Sequence, residues 1–147
     1  MPKAPINGIE LYYESHGDDS APAIIFAHGR GGNHMSWWQQ VAAFFGEFRC
    51  ITFDHRGWGQ SLKPRGSLGR QAFVDDIQGL LDHLEIDRVF LVAQSMGGLT
   101  CLGADAPQNG YGRELLLDVS VHGTTYPNTT QYQGHEADQI QKPVEIP

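Results

Sequence analysis

The sequence predicts an α/β fold with a mostly parallel sheet and an antiparallel N-terminal hairpin. Short apolar runs of β-prone residues alternate with segments whose apolar residues recur at helical spacing, the pattern of strand–helix–strand crossovers. An Asn-Gly pair beside an extended run opens the chain, which is a hairpin signal. In such a sheet the crossovers are right-handed, and the loops at the carboxyl ends of the strands build the site.

Asn7-Gly8 separates Ile6 from Ile9-Glu10-Leu11-Tyr12-Tyr13, so the first two strands pair antiparallel. Ala23-Ile24-Ile25-Phe26-Ala27 is a continuous apolar run ending in His28-Gly29, as expected of a central strand covered on both faces. Ser36 starts a helix with Gln39 three residues later, the spacing of a capping box, and Trp37, Val41, Phe44, Phe45 and Phe48 give it one apolar face. Cys50-Ile51-Thr52-Phe53 is the next strand, followed by a loop over 54–61 whose alternate glycines suit a tight path. From about residue 70 to 84, Phe73, Ile77, Leu80, Leu81 and Leu84 mark one helical face, with Asp75 and Asp76 early enough to favour the helix dipole. Val89-Phe90-Leu91-Val92 is another strand. Past Gly103, Pro107 and Gly110 interrupt the pattern, and one strand-like run follows over 115–119. The expected organisation is a partial core over 1–120 and a polar, irregular tail over 121–147.

The 147 residues, 40% of them hydrophobic, suit one soluble domain. The net charge of −7, spread along the chain, argues against nucleic acid or an anionic membrane surface as partner. No run approaches the roughly 18 apolar residues of a membrane span, and Met1-Pro2-Lys3-Ala4-Pro5 lacks a signal-peptide stretch, so a cytoplasmic location is expected. Cys50 and Cys101 lie far apart without Cys-x-x-Cys spacing and read as small buried residues.

Val92-Ala93-Gln94-Ser95-Met96-Gly97-Gly98 joins a strand to a helix with small residues flanking the serine, the pattern of a nucleophile elbow. Such a turn projects the serine oxygen at the helix N-terminus, where free N–H groups and the dipole favour negative charge. Ala93 departs from the common pattern, which has glycine there. The competing role for Ser95 is a plain helix cap. Acyl transfer needs donors for the developing oxyanion, and the backbone N–H of Met96 supplies one. His28-Gly29-Arg30-Gly31-Gly32 can bring the N–H of Arg30 to the same point. A dinucleotide loop is the alternative for this stretch, weakened because its third glycine falls on His34. His28, His34, Asp54 and His55 match no metal-ligand spacing, so no metal and no cofactor are expected. Asn128-Thr129-Thr130 fits a glycosylation acceptor, read as chance.

His28-Gly29-Arg30-Gly31-Gly32, Asp54-His55-Arg56-Gly57-Trp58-Gly59-Gln60-Ser61 and Gln94-Ser95-Met96-Gly97-Gly98 together resemble the three motifs of the α/β-hydrolase fold, in order and spacing, over roughly residues 5–103. The likeness is to the branch of esterases, enol-lactone hydrolases, carbon–carbon bond hydrolases and cofactor-free haloperoxidases. It implies Ser95 as nucleophile, Arg30 and Met96 as backbone donors, and Asp54 and Arg56 as braces of their loop. Dehalogenases and epoxide hydrolases of this fold are similar in outline but carry aspartate where this chain has Ser95.

In this fold an acid and then a histidine follow the nucleophile. A complete member runs to roughly 250 residues, whereas about fifty follow Ser95 here, so the expectation is a truncated α/β-hydrolase fold. Asp118 is the candidate acid, and His122 and His135 are the candidate bases, although neither histidine matches the family's context. The expected activity is hydrolysis of a small-molecule ester or lactone, with Trp37, Trp58 and Met96 available to line an acyl pocket and core packing an equal alternative for the aromatic residues. The alternative is a non-catalytic fragment lacking the base. The sheet would end on an exposed edge, which predicts oligomerisation or a partner.

Overall fold

Asn7 and Gly8 adopt left-handed backbone, φ 47° and 79°, so the chain reverses within two residues and pairs β1 (Lys3–Ile6) antiparallel with β2 (Ile9–His16). The computed structural model describes residues 2–61, 68–105 and 114–118. β2 continues antiparallel onto β4 (Arg49–Phe53), and β3 (Ala23–Ala27) lies parallel between β4 and β5 (Arg88–Ala93). β6 (Glu114–Asp118) adds parallel to β5, giving the order β1-β2-β4-β3-β5-β6. The mostly parallel sheet with its antiparallel opening is thus as the sequence predicts. The last strand spans 114–118, one residue earlier at each end than expected.

All five residues of β3 are buried, because helices cover both faces of the central strands. Alternation divides them: Ile25, Ile51 and Leu91 pack with Ile77, Leu80 and Leu81 of α2 (Arg70–His83) and Cys101 and Ala104 of α3 (Met96–Asp105). Ile24, Phe26 and Cys50 pack on the other face with Trp37, joined by half-buried Val41, Phe48, Phe90 and Val92. Both cysteines are free and buried, as expected.

The first helix differs from its sequence reading. Its cap is Asn33, not Ser36: the Asn33 side chain accepts the N–H of Met35 at 2.8 Å, and Ser36 Oγ accepts the N–H of Asn33 at 3.2 Å. A 3₁₀ turn (His34–Trp37) precedes a short α1 (Trp38–Phe44). The tighter turn shifts the buried stripe, so Trp37, Val41 and Phe48 face the sheet while Phe44 and Phe45 stand 38% and 53% exposed. Asp75 and Asp76 lie beyond the first turn of α2, where the dipole effect has faded; Asp75 accepts from Gln71 Nε2 at 2.8 Å, and Asp76 is buried.

Among the described residues no helix is long and apolar enough to cross a membrane. The expected tail over 121–147, with His122, His135 and the acceptor site at Asn128, lies outside the described residues.

Candidate functional site

β5 runs into α3 through Gln94 and Ser95 alone. Ser95 has φ 50°, in the left-handed region that crowds the Cβ of an L-residue and costs about 1–2 kcal/mol. Its neighbours hold it there. The N–H of Gln94 donates to Ala27 O at 3.1 Å, and the N–H groups of Gly97 and Gly98 donate to Gln94 O and Ser95 O, each at 2.9 Å. Ala93, the departure from the common glycine, is fully buried in register with Ala27, so the core accepts its methyl group. Ser95 and Met96 are both half-buried.

The loop after β3 lies directly against this turn. A Cβ on Gly29 would stand 3.3 Å from both Gln94 O and Ser95 Cβ, tighter than an ordinary contact, so glycine eases the close approach of the two backbones. Gly29 O accepts the N–H of Gly32 at 3.0 Å, which closes the loop around exposed Arg30 and Gly31. The structure therefore brings Gly29 beside Gln94 and Ser95.

His28 is fully buried beneath the loop. Its Nε2 lies 3.0 Å from the backbone N of His55, a donor, so Nε2 accepts and Nδ1 carries the proton, which it donates to Gly29 O at 2.8 Å. Burial pushes the His28 pKa below its ordinary value, against the opposing pull of Gly29 O, so the ring is neutral and both nitrogens are engaged. His55 is also fully buried, packed against Phe53 and Phe73 with ring centroids 4.8 and 5.4 Å away. Its ring nitrogens have no hydrogen-bond partner among the described residues, and burial, aided by His28, pushes its pKa down to about 3.

Asp54, at the end of β4, is fully buried. Its carboxylate accepts the N–H of His34 at 2.6 Å, His34 Nδ1 at 2.9 Å and the N–H of Gln60 at 2.7 Å. Ser61 Oγ donates to Asp54 O at 2.6 Å and accepts the N–H of Tyr12 at 3.0 Å. The Asp54–His34 pair points toward β2, where the His34 ring packs on Tyr12 with centroids 4.7 Å apart and Nε2 stands 3.7 Å from Glu14. Strand β3 separates β4, which carries Asp54, from β5, and the pair braces the loops that follow β3 and β4. Burial raises the Glu14 carboxyl, but hydrogen bonds from Tyr12 and His16 outweigh it and hold the group below its ordinary value. Among the described residues no group of three or more His, Cys, Asp or Glu can hold a metal ion.

Arg56 braces the same loop from below. Its Nε donates to Asp76 Oδ2 at 2.6 Å while a second guanidinium nitrogen donates to Oδ1, and Asp76 drives the Arg56 pKa further up. Asn7 Nδ2 also donates to Asp76 at 3.2 Å, tying the N-terminal hairpin into the pair. Neither this pair nor the His28–His55 brace was found by sequence reasoning; the place of Asp76 on the same helix stripe as Phe73, Ile77 and Leu80, which the sequence reading gave to the helix dipole instead, was the available signal.

Of the expected pocket residues, Trp37 belongs instead to the core: it is buried against Phe26, with centroids 5.3 Å apart, on the face covered by α1. Trp58 is half-buried against Phe73 at 5.7 Å. Asp118 ends β6 in register with Val92, three residues before Ser95. A groove of about 520 Å³ opens at the amino ends of the strands, remote from Ser95, and its Arg49 is paired to Asp19 at 3.1 Å.

Known proteins share this fold. The chain is 38% identical over 95 residues to 3-oxoadipate enol-lactonase 1 of Acinetobacter baylyi, covering 65% of this chain and 35% of that one. It is 31% identical over 93 residues to epoxide hydrolase 1 of Caenorhabditis elegans, covering 62% and 23%. The crystal structure of the enol-lactonase from Burkholderia xenovorans superposes with a TM-score of 0.72 at 34% identity, covering 79% of this chain and 45% of that one. The chain spans about a third of the length of the curated enol-lactonases it matches. The family model for the alpha/beta hydrolase fold matches residues 22–104, which contain the loop after β3, the braced loop after β4 and the strained serine turn, and with this match the chain belongs to the α/β-hydrolase fold family.

Proposed function

We propose that this chain carries the nucleophile half of a serine hydrolase acting on a small-molecule ester or lactone. The observation behind this reading is the left-handed backbone of Ser95, φ 50°, at a two-residue junction between β5 and α3. A serine serving only as a cap takes extended backbone, which is the ordinary conformation of that position. Strain held at one half-buried serine, beside a glycine loop that approaches it, is the arrangement of a nucleophile elbow.

In this mechanism Ser95 Oγ attacks the carbonyl carbon. The carbonyl π pair moves onto oxygen, where the N–H groups of Arg30 and Met96 receive it. The serine proton passes to a base, for which His122 and His135 are the candidates in this chain, with Asp118 as candidate acid. As the intermediate collapses the protonated base gives that proton to the leaving oxygen, so the alcohol forms, tethered to the acyl group in a lactone, and an acyl-serine remains, which water hydrolyses. The names of the relatives support a lactone. Serine at position 95 favours acyl transfer over epoxide opening, which family members of that type perform with aspartate.

The test is reaction of the full chain with a fluorophosphonate ester, with the label mapped by mass spectrometry and folding checked by circular dichroism. Labelling at Ser95 is expected, with loss of label in His122→Ala or His135→Ala identifying the base. A folded protein that takes no label at Ser95 overturns the reading and leaves a non-catalytic member of the fold.

A further inference from the structure

We infer that His28 is a positioning residue for oxyanion binding, holding the Gly29–Arg30 peptide so that the Arg30 N–H is aimed out of the loop beside Ser95. This rests on the serine-hydrolase function proposed above.

The argument begins with one peptide plane. There is no cis peptide among the described residues, and in a planar trans peptide the N–H points opposite to the C=O. Whatever fixes the Gly29 carbonyl therefore fixes the Arg30 N–H. Two donors fix it: the N–H of Gly32 at 3.0 Å, within the loop, and His28 Nδ1 at 2.8 Å, from the buried side. The Gly32 bond alone travels with the loop. The His28 bond anchors the plane to the sheet, because the other ring nitrogen accepts the N–H of His55 at 3.0 Å in the loop after β4.

A neutral imidazole suits this position because it is a rigid plate with a donor on one side and an acceptor on the other. Full burial of both His28 and His55 keeps water from replacing either bond. On the opposite side, the missing Cβ of Gly29 lets the loop rest on Ser95 itself. His28 thus acts through the Arg30 peptide and touches no reacting atom.

Asparagine and glutamine separate the two ends of the ring. The amide of His28→Asn reaches the place of Nδ1 and can donate to Gly29 O; that of His28→Gln reaches the place of Nε2 and can only accept from His55. The readouts are the rate of fluorophosphonate labelling at Ser95 and the backbone amide chemical shift of Arg30, in samples matched for folded fraction. His28→Asn is expected to label within about 3-fold of the wild type, and His28→Gln about 10- to 100-fold more slowly, the scale of a misplaced oxyanion donor. The Arg30 amide shift should move further in His28→Gln than in His28→Asn, with Met96 unchanged. Equal labelling and equal Arg30 shifts in the two variants would show a merely structural histidine and overturn the inference. If the wild type itself takes no label, the hydrolase reading fails, and the contrast in Arg30 shift still decides whether His28 orients that peptide. Should the variants not fold, nitrogen-15 NMR of the wild type reads the ring directly: a proton on Nδ1 is required, and one on Nε2 overturns the brace.

Discussion

Gly97, in the first turn of α3, sits against the carbonyl of Ala27 at the end of β3, so close that a Cβ there would overlap both the carbonyl oxygen and carbon. The contact seats the helix that follows Ser95 on the strand that leads to Gly29. Gly97→Ala must therefore lift α3 or distort β3, and a loss of about 1–3 kcal/mol is expected from urea denaturation. Gly46→Ala, with open space around its would-be side chain, is the control and should stay within about 0.5 kcal/mol of the parent. Equal effects of the two would mean that Gly97 is not a packing contact.

The buried pair of Arg56 and Asp76 ties the loop after β4 to α2. Removing the carboxylate strands a buried guanidinium without the group both its nitrogens reach, so Asp76→Ala is expected to cost about 3–5 kcal/mol. Replacing both partners with apolar residues, Arg56→Met with Asp76→Leu, should cost much less, because no buried charge then remains. A double variant as unstable as Asp76→Ala would show that the pair's worth lies in something other than charge compensation.

Much of this arrangement was legible beforehand. Strands covered on both faces must be continuously apolar, so 23–27 announced a central strand, and the structure buries every residue of it. The turn at Ser95 was legible because close backbone approach demands small neighbours, and Gly97 and Gly29 are where that demand is met. The first helix was misread because a 3₁₀ turn changes the period partway along, and no residue in His34-Met35-Ser36-Trp37 marks that change. The braces were illegible for a different reason. Arg56 and Asp76 are 20 residues apart and His28 and His55 are 27 apart, distances set by the fold and not by any local repeat.

Acid should weaken the fold through His55 as the pH falls below neutrality. The folded-state pKa of His55 lies at about 3, held there by burial first and then by His28, against 6.5 for the free side chain. Over this interval the unfolded chain binds the proton and the folded chain does not. Stability is therefore complete above about pH 6.5 and falls as pH drops toward 3, by about 1.4 kcal/mol per pH unit for this residue. His28, also lowered, adds to the fall in the same direction. The contribution of Glu14, whose folded pKa is lowered from 4.5, is lost only below that value, so a comparison of pH 7 with pH 5 separates it from that of His55. Urea midpoints should drop across this range in the parent and drop less in His55→Phe; parallel curves would exclude His55 as the source.

Ser95 and Glu85 share a backbone conformation, φ 50° and 55°, for different reasons. Glu85 follows the cap of α2 and ends it in a left-handed residue, with Ile86 N–H bonded to Leu81 O at 2.9 Å, a position where glycine is the usual choice. Glu85→Gly relieves crowding at the cost of some unfolded-state entropy, and a net gain of about 0.5–1 kcal/mol is expected. Ser95→Gly should gain a similar amount while abolishing labelling by the fluorophosphonate. Ser95→Ala should also abolish labelling but gain nothing, since alanine keeps the Cβ that makes the conformation costly. The contrast between glycine and alanine at position 95 thus measures strain apart from chemistry. If thermal unfolding shows glycine and alanine to be equally stable at position 95 while Glu85→Gly is stabilised, the turn at Ser95 holds no strain, and the strongest support for its reading as a nucleophile is removed.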